Sequence, residues 1–133
     1  MLTLFPDILF LAPLAVALLR VVAGLNFLYI AYRLIVTREE IGRLRAPIIG
    51  RMRSWKIWFA AVCTFIVGAL LIVGLWTQAV AIIGFLIATK HLVGTKMYPD
   101  VLPLSAGANL WLSIVCVALT VMGAGVYGID LPL

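Results

Sequence analysis

Few residues in this chain are equipped for chemistry, and Arg20 is the most telling of them. It stands within a long apolar run, residues 8–36. A guanidinium is permanently charged and can grip a carboxylate, a phosphate or a polar headgroup through its planar fork. At mid-membrane depth such a charge costs at least ~2.5–3.5 kcal/mol, so Arg20 must be held by something. With about 100° between successive helical residues, it shares a face with Pro13, Val16, Gly24, Phe27 and Ala31. That face carries small residues, so Arg20 is expected to point into a helix bundle. Asn26, Tyr29 and Arg33 fall on another face. All five acidic residues lie in termini or connections rather than in apolar runs. Four means of holding Arg20 therefore stay open: backbone carbonyls with Asn or Tyr side chains, an anionic ligand, a carboxylate from another subunit, or snorkelling into local water.

His91 is the single histidine, and it follows Lys90. A haem or metal site needs several ligands, and the apolar runs supply no second His and no carboxylate. Pairing of His91 with Met97 or Met122 on one axial position is the sole arrangement available, so no metal is expected. Cys63 and Cys116 stand alone in different runs, with no C-x-x-C to form a redox pair; each reads as a small hydrophobe. P-loop, G-x-G-x-x-G, H-E-x-x-H and Ser-His-Asp patterns are missing. With one His and no carboxylate in the runs, acid–base catalysis contained within the chain is not expected. What remains is hydrogen bonding to a ligand or lipid headgroup, for which Arg20, Tyr29, Lys90 and His91 are the candidates.

The elements that must position these residues follow from composition. Of 133 residues, 65% are hydrophobic and 11% charged, and the mean hydropathy is +1.22. Soluble domains carry about 25% charged residues, so this chain cannot clothe a globule in water. Four apolar stretches, about 8–36, 57–76, 79–95 and 105–129, approach the ~20 residues that cross a bilayer. In lipid each must satisfy its own backbone, which makes them helices. The expected fold is an all-α integral membrane protein, a single bundle of four transmembrane helices. The N-terminal stretch has no basic n-region before its apolar run and reads as the start of a helix, not a removable signal. Pro13 marks either a first turn or a kink. Spans two and three, separated by little more than Thr77 and Gln78, must form a tight hairpin. Pro99 and Pro103 interrupt the link between spans three and four.

Charge sets the expected orientation. The loop 37–56 carries Arg38, Arg43, Arg45, Arg51, Arg53 and Lys56 against Glu39 and Glu40. Its first half can extend the preceding helix until Pro47 and Gly50 break it. Arg33, Lys90 and Lys96 lie toward the same side, whereas the termini and the Thr77–Gln78 turn carry no Lys or Arg. By the positive-inside bias the loop is cytoplasmic and both termini face away. The net charge of +5 thus reads as attraction to anionic headgroups, not to nucleic acid. Gly24, Gly68, Gly74, Gly84, Gly107, Gly123 and Gly125 suit close helix packing. Trp55, Trp58, Trp76, Tyr98 and Tyr127 suit an interfacial aromatic belt.

Three segments carry a family likeness. GALLIVGLWTQAVAIIGFLIATK (68–90), GAGVYGIDLPL (123–133) and Arg20 followed by the Gly24 half of its run resemble, in order and spacing, the DoxX-like family of small four-helix membrane proteins. The resemblance implies association with redox systems, among them thiosulfate:quinone oxidoreductase and membrane oxidative-stress complexes. It matches Arg20, Thr77, Tyr127 and Asp130 to the family's polar motif positions. The family's Arg after the Thr is here Gln78, which together with the basic loop points to a specialised accessory subunit. The functional expectation is a non-catalytic subunit of a redox or energy-transducing complex in a bacterial or archaeal cytoplasmic membrane, surrounded by lipid and larger membrane subunits. The alternative is a quinone-reactive subunit with a headgroup site near Arg20. A small transporter is a third possibility, disfavoured by the scarcity of polar residues in the runs and the lack of an inverted repeat.

Overall fold

The computed structural model describes residues 11–43, 45–46, 50–51, 54–123 and 125. Four long helices dominate: α1 (Ala12–Val36), α3 (Ser54–Val73), α4 (Thr77–Met97) and α5 (Ala106–Met122). Between α1 and α3 lie the short α2 (Arg38–Arg43) and two two-residue strands, β1 (Arg45–Ala46) and β2 (Gly50–Arg51). The strands pair antiparallel, Arg45 with Arg51 and Ala46 with Gly50. Helices α1, α3 and α4 are long and apolar enough to cross a membrane, whereas α5 is a shorter apolar helix.

Local sequence explains where each helix starts and stops. Pro13 sits in the first turn of α1, where its missing N–H has no partner to lose; it is not a mid-helix kink. Thr37 closes α1 by donating both its backbone N–H and its hydroxyl to Arg33 O. Its own carbonyl then accepts from Ile41 N at 3.0 Å, so the helix resumes as α2, and buried Ile41 pins that short helix to the bundle. Gly74, at φ 76°, ends α3 in a left-handed cap, with Gly74 N and Leu75 N both donating to Leu70 O. Ser105 caps α5, its hydroxyl oxygen accepting from Ala108 N at 3.3 Å. Replacing it, Ser105→Ala, should lower stability by ~1 kcal/mol, read as a small drop in the thermal midpoint in mild detergent.

Several sequence-derived boundaries need correction. The turn between the second and third long helices is Gly74–Trp76, so Thr77 and Gln78 belong to the first turn of α4, not to the turn. The cause is the left-handed pair Gly74 and Trp76 (φ 51°), which reverses the chain three residues earlier than the hydropathy edge. The second long helix correspondingly runs 54–73 rather than 57–76. The last ends at Met122, before the left-handed Gly123, and not near 129. Tyr127, Asp130, Arg53 and Pro47 lie outside the described residues.

Packing gives the order around the bundle. Helix α1 lies against α3 and α5, and α4 likewise lies against α3 and α5. The α1–α3 crossing is built on glycine: a Cβ on Gly24 would stand 2.8 Å from Gly68 O, and one on Gly68 the same distance from Gly24 O. At the centre, the ring of Phe27 (α1) reaches to 3.1 Å, and Cys116 Sγ (α5) to 3.3 Å, from where a Cβ on Gly84 (α4) would be. Helices α1 and α3 run antiparallel, since Gly24 meets Gly68 and Ile72 whereas Leu28 meets Gly68.

The side-chain distribution is reversed relative to a water-soluble bundle. Outward faces carry Leu18 (58% exposed), Phe65 (56%), Leu86 (61%) and Val121 (79%), while Arg20, Thr64, Thr77, His91, Thr95, Asn109 and Ser113 are buried. Such an apolar exterior is compatible with hydrocarbon.

Candidate functional site

Apart from Thr64, midway along α3, the buried polar residues gather at two levels. At one end are Arg20 and Thr77, 3% and 0% exposed. Arg20 lies one turn before Gly24, and Gly24 touches Ile72 near the C-terminus of α3. Arg20 is therefore level with the end of α3 and the turn into α4, not at mid-bundle as its place in the apolar run suggests. The same register serves α4, because Phe27 meets Gly84 and seven residues back on each helix lie Arg20 and Thr77. The inward face Val16, Gly24, Phe27 and Ala31 is buried with Arg20, as its helical spacing requires. Of the four means of holding the guanidinium, snorkelling is removed by its burial. Arg20 is engaged by another group of the chain.

At the opposite end, α4 and α5 share a polar seam. Thr95 donates to His91 O at 2.7 Å and approaches Leu104 O at 3.3 Å. The Asn109 side-chain N–H2 faces Thr95 Oγ1 (3.2 Å), Leu104 O (3.3 Å) and Ser105 O (3.2 Å). Ser113 donates to Asn109 O at 2.9 Å. His91 Nδ1 lies 2.8 Å from Ile87 O, and because a carbonyl only accepts, this nitrogen carries the hydrogen. Thr95, Asn109 and Ser113 were not singled out from the sequence. The signal available was their spacing, since 91 and 95 share one helical face, as do 109 and 113.

The four headgroup candidates are not brought together. Arg20 belongs to one end and His91 to the other; Tyr29 is 48% exposed on the outer face of α1, and Lys90 is exposed. Met97 and Met122, the possible axial partners of His91, are exposed at opposite ends of the bundle. Among the described residues no group of three His, Cys, Asp or Glu is placed to hold a metal ion. Free Cys116 is buried beside Gly84, where it packs as an apolar group. The basic residues have a clear sidedness: among the described residues, every Lys and Arg except Arg20 belongs to the half of the bundle holding the α1–α3 connection and the end of α4. Compared with known proteins, the chain matches no family model, no curated protein and no solved structure.

Proposed function

We propose that the chain is a four-span helical protein of a bacterial or archaeal cytoplasmic membrane that serves as a small, non-catalytic subunit of a larger membrane complex. The observation that carries this reading is how the polar interior is spent. Thr64, Ser113 and Thr120 direct their hydrogens to the carbonyl four residues back on their own helices, and Asn109 bonds to Thr95 across α4 and α5, so these polar groups are spent within the chain. The apolar exterior supports insertion. At 17 residues, α5 sits at the lower limit for a span, and its exposed Leu110, Ile114, Val117 and Val121 suit a lipid-facing helix.

The redox character of the complex rests on the DoxX-like resemblance of 68–90 and 123–133. Arg38, Arg43, Arg45, Arg51, Arg53 and Lys56 would face anionic headgroups on the cytoplasmic side. Purification in mild detergent should return the chain with larger membrane subunits; a monodisperse chain with full activity alone would overturn the proposal. The second reading, a quinone-reactive subunit, is favoured by buried His91, whose second ring nitrogen is left as an acceptor. Solvent extraction of the purified chain yielding quinone in proportion to protein would favour it over the first.

A further inference from the structure

Between α2 and α3 the charge is all of one sign. Residues 41–56 hold Arg43, Arg45, Arg51, Arg53 and Lys56 and no Asp or Glu. The nearest acids in sequence, Glu39 and Glu40, stand in the first turn of α2, two against five. Basic and apolar residues alternate on each side of the reversal, R-L-R-A over 43–46 and G-R-M-R over 50–53. That period sends successive residues of a strand to opposite faces.

The backbone register turns the alternation into a juxtaposition. Strands β1 and β2 pair Arg45 with Arg51 and Ala46 with Gly50, so the two arginines share one register position and one face of the hairpin. Residues so paired have Cβ atoms ~4.5–5.5 Å apart, and like charges directly opposite weaken the pairing. Two permanent cations at that spacing match a single phosphate, whose oxygens can accept from both guanidinium forks. The level is also that of phosphate. Arg51 stands three residues before Ser54, where α3 begins, so even an extended chain keeps it within ~10 Å of that helix end. Trp55 and Trp58, 60% and 47% exposed on the first turns of α3, suit the headgroup layer.

We propose that Arg45 and Arg51 form a clamp for one phosphomonoester. A phosphodiester carries one negative charge and leaves one of the two cations uncompensated, whereas a monoester approaches two charges at neutral pH. The same group is offered by a phosphatidate headgroup and by a soluble phosphate ester. The inference rests on the membrane-spanning part of the proposed function and not on the subunit role. A chain that stays with membranes until detergent releases it upholds that part, whatever the phosphate results.

The test is native mass spectrometry of the full chain in mild detergent, titrated with phosphatidate, with phosphatidylglycerol of the same tails, and with glycerol phosphate. Phosphatidate should bind one to a chain and more tightly than phosphatidylglycerol. Arg45→Gln and Arg51→Gln should each weaken that binding about tenfold. The double variant should lose less than the product of the two, because both residues hold the same group. Arg38→Gln removes the same charge from an exposed position on α2 and should change little. Glycerol phosphate bound as tightly as phosphatidate identifies a soluble ester; phosphatidate bound without it identifies the lipid. An equal loss in Arg38→Gln, or phosphatidylglycerol bound as tightly as phosphatidate, overturns the clamp in favour of diffuse attraction to anionic headgroups.

Discussion

Gly24→Leu is expected to abolish the folded bundle, and Gly68→Ala to weaken it by at least the ~1–3 kcal/mol typical of overpacking. Both glycines lie where α1 and α3 cross, and what a side chain would meet is backbone. A Cβ on Gly24 stands 2.6 Å from Ile72 Cγ1 and 2.8 Å from Gly68 O; one on Gly68 stands 2.8 Å from Gly24 O. A rotamer change can move the isoleucine, but the carbonyl moves only if a helix moves. Two helices in lipid have no apolar solvent-transfer term drawing them together, so close packing carries a larger share of their association. Separating the axes to admit Leu forfeits that packing along the whole interface. Gly107 provides the control: it is exposed, with nothing within 4 Å of its would-be Cβ, and Gly107→Ala should leave the bundle intact. Denaturation midpoints of purified chains in detergent check all three; a Gly68→Ala midpoint matching that of Gly107→Ala would contradict the crossing.

Replacing Arg38, Arg43, Arg45, Arg51 and Arg53 together by Gln should convert a single membrane orientation into a mixture. Among the described residues, the structure gathers every Lys and Arg except Arg20 toward one half of the bundle. Cationic segments near span ends resist translocation and are attracted to the anionic cytoplasmic leaflet. After the replacement only Arg33, Lys56, Lys90 and Lys96 would mark that side. Reporter fusions that work on one side of the membrane, joined to the C-terminus, read the result. The unmodified chain should light only the non-cytoplasmic reporter, and the variant both. A variant still wholly in the original orientation would show that the loop does not set topology.

The extent to which the sequence anticipates this molecule depends on the range of the interaction involved. Hydropathy runs and the inward face of α1 were readable because they are properties of consecutive residues. Val16, Arg20, Gly24, Phe27 and Ala31 are buried together simply because a helix repeats every ~3.6 residues. The turn between α3 and α4 was misplaced because hydropathy cannot sense backbone handedness, and Gly74 with left-handed Trp76 reverses the chain before the apolar run ends. Arg20 was misplaced in depth for a related cause. Its position along α1 is plain, but its level in the bundle is set by which residue of α3 meets Gly24.

The seam between α4 and α5 illustrates the same limit. His91 stood out by being the lone histidine, and Thr95, Asn109 and Ser113 passed as ordinary polar residues. Their partnership spans fourteen residues between Thr95 and Asn109 and exists only once the α4–α5 hairpin closes. By itself the sequence determined an apolar helical chain, strongly basic on one side, because burial and charge in a bilayer act residue by residue. Tertiary structure alone decided which polar atoms find partners and which, like Asn109 Oδ1 among the described residues, are left over. Hydrogen bonds have direction as well as composition, and direction is settled only when helices from distant parts of the chain come into register.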